Sequence, residues 1–277
     1  MNSKKSATAV RCTDSPLRNL MREWRSRRGR SQLELSLDMG VSQRHLSFVE
    51  TGRSAPSRAL LMQFAQTLDI PFRDRNNLLL AAGYAPIYSE RPWDAAEMRT
   101  VSKALERMLK QHEPFPALVM DRCWNVLMTN DASPRFFGSF VDLHSRPEPR
   151  NLLRLIFDPD GLRPFIENWD QFAKGLFERI RREAVGGVID AKQRSLIAEL
   201  LAFPGVGPDW ADPQVNAASP VIPIGFLKDG RLLRYFSMVS TVGTPQTVAA
   251  QELRVECMFP ADDATEAWHS ETFASRT

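Results

Sequence analysis

The stretch Ser31-Gln-Leu-Glu-Leu-Ser-Leu-Asp-Met-Gly-Val-Ser-Gln-Arg-His-Leu-Ser-Phe-Val-Glu-Thr-Gly-Arg53 decides how the first third of the chain folds. Ser31 and Glu34 have capping-box spacing, in which the hydroxyl covers the third helical N–H and the glutamate returns to the N–H of the cap. Leu33, Leu35, Leu37 and Met39 alternate with period two, which alone argues strand. The cap and the helical neighbours outweigh that alternation, so a helix is expected. Gly40-Val41 makes a turn, Ser42 caps a further helix from Gln43 to Thr51, and Gly52 closes it. Leu46 and Val49 then point inward. Upstream, Leu17, Leu20, Met21 and Trp24 fall at i, i+3, i+4 and i+7, the apolar stripe of a first helix that Gly29 terminates. Downstream, a fourth helix follows Pro56 with Leu60, Leu61, Phe64, Ala65 and Leu68 on one side, and a fifth runs from near Arg73 to Ala82.

Charge separates this region from the rest. Residues 1–86 hold 14 lysines and arginines against 7 acids, and the remainder holds 22 against 26, an asymmetry hidden in the net charge of +3. A local basic excess is the footprint of a domain that meets a polyanion, with nucleic acid first and an anionic membrane surface second; a solvated basic face is the alternative. Two short helices joined by a glycine turn within a basic five-helix unit form a helix-turn-helix, whose second helix enters the major groove of DNA.

Ser31-Gln32, Gly40-Val41-Ser42-Gln43, Leu46-Ser47, Glu50-Thr51-Gly52-Arg53 and Pro56 together resemble the lambda-repressor-type, or Xre, family of bacterial regulators over residues 17–82. The resemblance implies DNA-binding roles for Ser31, Gln32, Ser42, Gln43, Arg44, Ser47, Phe48 and Arg53. With Leu46 and Val49 inside, Gln43, Arg44, Ser47, Phe48 and Thr51 form the outward face of the recognition helix. Gln43 suits adenine, Arg44 guanine and Phe48 a thymine methyl. Ser42 and Gln32 at helix N-termini, and Arg53 just past a helix, suit phosphates. Plain capping is the alternative for Ser31 and Ser42. Glu50, which DNA would repel, is expected to partner a local loop. Leu33 and Leu37 stand where many relatives carry charge, adding more apolar surface than DNA contact needs.

The chain has 277 residues, 43% apolar and 25% charged, with 14 Gly and 19 Pro, which fits one large or two modest globular domains and excludes collagen and pervasive disorder. Cys12, Cys123 and Cys257 are an odd number without paired spacing, as expected of reduced thiols rather than a disulfide framework. No apolar run suits a signal peptide or a membrane span, so a soluble cytoplasmic protein with no membrane partner is expected. The expected organisation is α+β and multidomain: a disordered tail over 1–15, the all-α five-helix unit over 16–84, a linker over 85–93 where Gly83 is followed by Pro86 and Pro92, and a second domain over 94–265.

In that second domain a long helix should begin near Asp94, with Asp94 and Glu97 in cap positions and Met98, Val101, Leu105, Met108 and Leu109 as its stripe. Ala117–Met120 and Val126–Met128 read as two short strands. Helices follow over Ala132–Val141, Asn151–Phe157, Leu162–Ala184 and Asp190–Ala202. Ile222–Leu227, Leu232–Val242 and Thr247–Phe259 read as three further strands, the first two joined by the hairpin dipeptide Asp229-Gly230. The result is a five-stranded antiparallel sheet with helices on one side, an order that resembles the PAS-type sensor fold.

Asn151-Leu-Leu-Arg-Leu-Ile-Phe-Asp-Pro-Asp-Gly161, Ile166-Glu-Asn-Trp169, Phe236-Ser-Met, Val242-Gly-Thr-Pro245 and Glu252-Leu-Arg-Val-Glu-Cys-Met-Phe-Pro-Ala-Asp262 resemble the ligand-binding domain of MmyB-like regulators. That resemblance implies a PAS-like pocket for a long-chain fatty acid or similar lipid. Compatible lining is offered by Phe136, Phe137, Phe165, Trp169, Phe172, Leu176, Phe177, Phe236 and Met238, with a filled core as the alternative. Asn130 and Arg154 are the candidate donors for a carboxylate head.

Signals for an enzyme are poor. Asp158-Pro-Asp160-Gly161 reads as a turn before a metal site, Gly205-Val-Gly207 lacks the strand and helix of a nucleotide loop, and His45, His112, His144 and His269 match no metal spacing. An isolated histidine such as His112 is more often structural than a haem ligand. The expected protein is a homodimeric, ligand-responsive transcription factor bound to double-stranded operator DNA, with a fatty acid as ligand and no resident cofactor. The rivals are a haem, flavin or peptide sensor, and a DNA-binding protein whose large domain serves only dimerisation or partner binding.

Overall fold

The computed structural model describes residues 16–183, 191–207 and 223–273; the tail expected over 1–15 lies outside them. The chain divides into two compact units between Ser89 and Glu90.

The first unit consists of α1 (Pro16–Arg27), α2 (Gln32–Asp38), α3 (Gln43–Thr51), α4 (Arg58–Thr67) and α5 (Phe72–Ala81). The capping box forms: Glu34 N–H donates to Ser31 Oγ at 3.1 Å and Ser31 N–H to Glu34 Oε2 at 2.8 Å. These bonds hold the Glu34 carboxyl below its ordinary pKa. The period-two leucines of α2 resolve into two i, i+4 pairs. Leu35 and Met39 are buried, whereas Leu33 and Leu37 are 52% and 71% exposed. Ser42 caps α3 by accepting from His45 N–H, and Gly52 ends it at φ 74°, a left-handed conformation that glycine adopts without steric cost.

The segment after α5 is fastened to this unit. Asn76, fully buried, accepts from Ile87 and Tyr88 N–H at 3.1 Å each and donates to the Tyr88 carbonyl at 2.8 Å. The Tyr88 ring stacks on Phe72 at 4.0 Å.

The second unit opens with a 3-10 turn, Ala96–Met98, leading into α6 (Arg99–Gln111). Asp94 and Glu97 do not cap it: the cap positions fall on Ala95 and Met98, neither makes a side-chain cap bond, and Glu97 pairs with Arg91 instead. Strands β1 (Ala117–Met120), β2 (Val126–Thr129), β3 (Ile224–Lys228), β4 (Arg231–Ser240) and β5 (Arg254–Pro260) form one antiparallel sheet in the order β2-β1-β5-β4-β3. Asp229 and Gly230, at φ 50° and 74°, make the β3–β4 hairpin turn. Between β2 and β3 come α7 (Ala132–Gly138), α8 (Leu152–Phe157), α9 (Trp169–Glu183) and α10 (Ala191–Leu201); α11 (Val248–Glu252) precedes β5 and α12 (Asp263–Phe273) follows it.

Four expectations need correction. The sheet carries helices on both faces. Leu118, Met120, Phe226, Tyr235 and Met258 pack toward α7–α9, while Ala117, Val119, Val255 and Cys257 pack against Met98, Leu105 and Leu109 at and along α6. Alternation along β1 and β5 makes both faces apolar, and α6 covers the second. The strand read over Thr247–Phe259 begins as helix, because Thr247 caps α11 by accepting from Ala250 N–H and good helix formers follow. The helix read over Leu162–Ala184 is broken: Arg163–Phe165 is a 3-10 turn, Glu167 N–H donates to the Gly225 carbonyl at 2.8 Å, and Asn168 sits at φ 50° before α9 begins. Ala184, Asp190 and Ile222 lie outside the described residues. Helix α12 was not anticipated. Its His269 is buried, with Nδ1 2.8 Å from Tyr235 Oη and Nε2 2.8 Å from the Pro114 carbonyl. Because a carbonyl only accepts, Nε2 carries the proton and Tyr235 donates to Nδ1. Burial holds the His269 pKa below its ordinary value and pushes that of Tyr235 up.

Candidate functional site

On α3 the outward face is as expected from the burial of Leu46 and Val49: Gln43, Arg44 and Thr51 are exposed, and Ser47 and Phe48 are half-buried. The Arg44 and Arg53 guanidiniums lie 5.2 and 5.6 Å from the centroid of the Phe48 ring, so one aromatic ring meets two cations. Ser31 and Ser42 both cap helices.

Gln32 and Glu50 are engaged elsewhere. Glu50 is fully buried and accepts from Arg25 Nε and Nη2 at 2.7 and 3.0 Å, while Gln32 Nε2 donates to it at 2.8 Å. Its main partner is therefore a helix 25 residues away rather than a local loop. This network ties α1 and the start of α2 to the C-terminal part of the recognition helix. A buried carboxylate demands such a partner, which the sequence order of Arg25 and Glu50 does not reveal.

In the second unit a cavity of about 90 Å³ lies between the sheet and the helices. Helix α9 contributes Phe172, Gly175, Leu176 and Arg179, spaced i, i+3, i+4 and i+7. The sheet contributes Ile224, Phe226, Ser237, Glu256 and Met258, and Leu152 and Ile156 of α8 close another side with Trp124, Phe137 and Leu162. Trp124 holds a left-handed backbone, φ 65°, which a bulky residue adopts only when its surroundings enforce it. Asp121 Oδ1 accepts from the flanking Cys123 and Asn125 N–H groups and enforces it here.

Polar chemistry in the wall is concentrated in one pair. Arg179 Nη1 and Nη2 donate to Glu256 Oε1 and Oε2 at 3.0 and 2.8 Å, and the guanidinium lies 4.5 Å from the Trp124 ring. The two side chains are only 17% and 10% exposed. Neither residue stood out in the sequence, although an acid between Val255 and Cys257 on an apolar strand was a usable signal.

Of the residues expected to bind ligand, Phe137, Phe172 and Leu176 line this cavity. Phe136 is fully buried behind it, edge-to-face with Phe226 and Tyr235, and Phe177 packs on Phe157. Trp169 and Phe165 pack on Phe157 and Phe140. Asn130 accepts from Ala117 and Ser133 N–H and donates to the Phe115 carbonyl, joining β1 to α7. Arg154 pairs with Glu199 at an exposed site. Phe236 and Met238 correct the expectation most clearly: they lie in register with Phe259 and Cys257, on the sheet face opposite the cavity, and Met238 is 59% exposed. His112 Nε2 donates to the Met258 carbonyl at 2.7 Å. Among the described residues no three His, Cys, Asp or Glu side chains gather as a metal-ligand set, and no helix is long and apolar enough to cross a membrane.

Comparison with known families accords with this division. The family model of the MmyB-like transcription regulator ligand-binding domain matches residues 101–271, and a helix-turn-helix family model matches residues 21–74. No curated protein matches the chain.

Proposed function

The chain belongs to the MmyB-like transcription regulators, DNA-binding proteins with a ligand-binding domain, and from that premise we propose that it is a one-component switch: residues 17–82 bind operator DNA as a homodimer, and the second unit responds to a fatty acid or comparable lipid. The supporting observation is the wall of the cavity, apolar except for Ser237 and the Arg179–Glu256 pair, beneath one face of α9. At about 90 Å³ the cavity is far smaller than the ~300–1,000 Å³ of pockets that hold drug-sized ligands. A long acyl chain enters only by shifting side chains of α9 or α8, so binding carries a conformational change with it. Such differential binding is the requirement for any ligand-driven switch.

On the DNA side, Arg44 and Gln43 read bases, and Arg53 and Ser42 hold phosphates. In a dimer the half-sites lie about one helical turn, ~34 Å, apart or a multiple of it. The test titrates operator with and without saturating lipid. A ligand that alters operator affinity by some factor is itself bound differently by the same factor when operator is present, with typical couplings of ~1–3 kcal/mol. Equal operator affinities, with lipid shown to be bound, overturn the regulatory reading, and a footprint on a single short asymmetric site overturns the dimer.

A further inference from the structure

The cavity beneath α9 has a neighbour. Between α7, α8 and the first two strands lies a second cavity of about 70 Å³, with Leu118, Val126, Leu143 and Leu155 in its wall. Phe137 and Leu152 line both cavities, so two side chains, 7% and 8% exposed, form the partition between them. We infer that a fatty acid occupies the two cavities in series, with its tail under α9 and its carboxylate on Arg150. The inference rests on reading the first cavity as the lipid site and adds where the rest of the acyl chain and the head group lie.

A chain of methylenes needs a long apolar track, and neither cavity alone provides one. Helix α8 lays the track: Leu152 and Ile156 line the first cavity and Leu152 and Leu155 the second, i, i+4 and i, i+3 steps around one helix. Rotamer changes at Phe137 and Leu152 join the two. At the α9 end, Arg179 is already held by Glu256 on two hydrogen bonds. In the second cavity Ser133 donates to the Ala117 carbonyl and Asn151 caps α8, so both are engaged. Arg150 is the charged residue of that wall. Its Nε donates to the Leu143 carbonyl at 3.1 Å, which positions the guanidinium, and its Nη2 meets Glu148 Oε1 at 2.9 Å. The Glu148 side chain is 64% exposed, so the pair is weak and the acid moves into water at little cost when a ligand carboxylate takes its place. Arg146 and Arg154 line an adjoining hollow with Arg150, but Asp158 and Glu199 each hold one of them on short contacts. Arg150 is the cation with least to give up.

The experiment uses the delipidated full chain with dodecanoate and its uncharged counterpart, 1-dodecanol, at neutral pH. The wild type binds both. Arg150→Met is expected to weaken dodecanoate about tenfold and dodecanol less than about twofold, and Arg150→Lys to recover most of that loss. Leu155→Trp fills the second cavity and Leu176→Trp the first, and each weakens both ligands about tenfold or more. Dodecanoate unchanged in Arg150→Met, or equal losses of the two ligands, overturns the head-group placement. No loss in folded Leu155→Trp overturns the series. Either result leaves the lipid site under α9 standing. Loss in Leu155→Trp without loss in Leu176→Trp puts the ligand in the second cavity alone and overturns the inference and the site beneath it, as does failure of both ligands to bind the wild type. Val126→Phe and Leu176→Phe, which narrow the same two cavities, replace a tryptophan variant that does not fold and are read in the same way.

Discussion

Arg25 with Glu50 in the first unit and Arg179 with Glu256 in the second make the same two-bond contact, yet their surroundings differ. Glu50 is fully buried in close-packed protein, and a third donor, Gln32, completes its partners. Glu256 faces a cavity, and the guanidinium that it holds lies on an aromatic ring rather than under packed helices. The first pair holds the recognition helix against α1. The second pair sets the electrostatics of an opening. Identical chemistry is thus a brace in one unit and the polar part of a cavity wall in the other, and the difference lies in what packs around it.

The largest effect that separates the two is on folding. Glu50→Ala strands Arg25 and Gln32 and is expected to destabilise the first unit by about 3–5 kcal/mol in denaturant unfolding. A loss below about 1 kcal/mol would remove the brace from the account.

Next comes DNA affinity. Arg44→Ala should cost about 1–3 kcal/mol on the operator and relax preference at one base position. Arg53→Ala should weaken operator and random DNA alike and reduce the salt slope by about 1. Equal losses for both variants on both DNAs would break the division between base reading and phosphate holding.

A smaller folding effect sharpens the contrast from the other side. Replacing the second pair together, Arg179→Met with Glu256→Leu, should leave unfolding free energy within about 1 kcal/mol of the parent, since an apolar pair of similar size removes two desolvation costs at once. The same double change at Arg25 and Glu50 leaves the Gln32 amide without its acceptor and should be the worse tolerated of the two in parallel unfolding curves.

The smallest expected effect is a pH slope confined to the second unit. His269 has its folded pKa held below the ordinary value of 6.5 by burial. Between the two values the unfolded chain binds the extra proton, so this stability is complete above about pH 6.5 and is lost as pH falls below it. His269→Gln should flatten that part of the stability profile, measured by unfolding between about pH 7.5 and about pH 5.

Much of the first unit was legible because its information is local. The Ser31–Glu34 box, the Ser42 cap and the Gly52 terminator each act within four residues, and the helices that they delimit lie within a residue of expectation. Even the misleading leucine alternation in α2 was overruled by a neighbouring cap. In the second unit the strands were legible as short apolar runs and from the Asp229-Gly230 turn, but α12 and α11 were not: α11 is five residues long, and the apolar run around it also suits a strand.

By itself, the sequence determined which residues share a side. Gln43, Arg44 and Ser47 fall together on one helix face, and Phe236 and Met238 fall together on one face of β4. Which side looks at what was decided only by tertiary packing. Strand periodicity is symmetric between the two faces of a sheet, so α6 on one and α7–α9 on the other had to be in place before Phe236 and Met238 were excluded from the cavity. The same holds for the charges. Arg179 and Glu256 are 77 residues apart, and no local rule pairs an arginine on a helix with an acid on a strand. Only the burial of both beside one opening makes their mutual neutralisation obligatory.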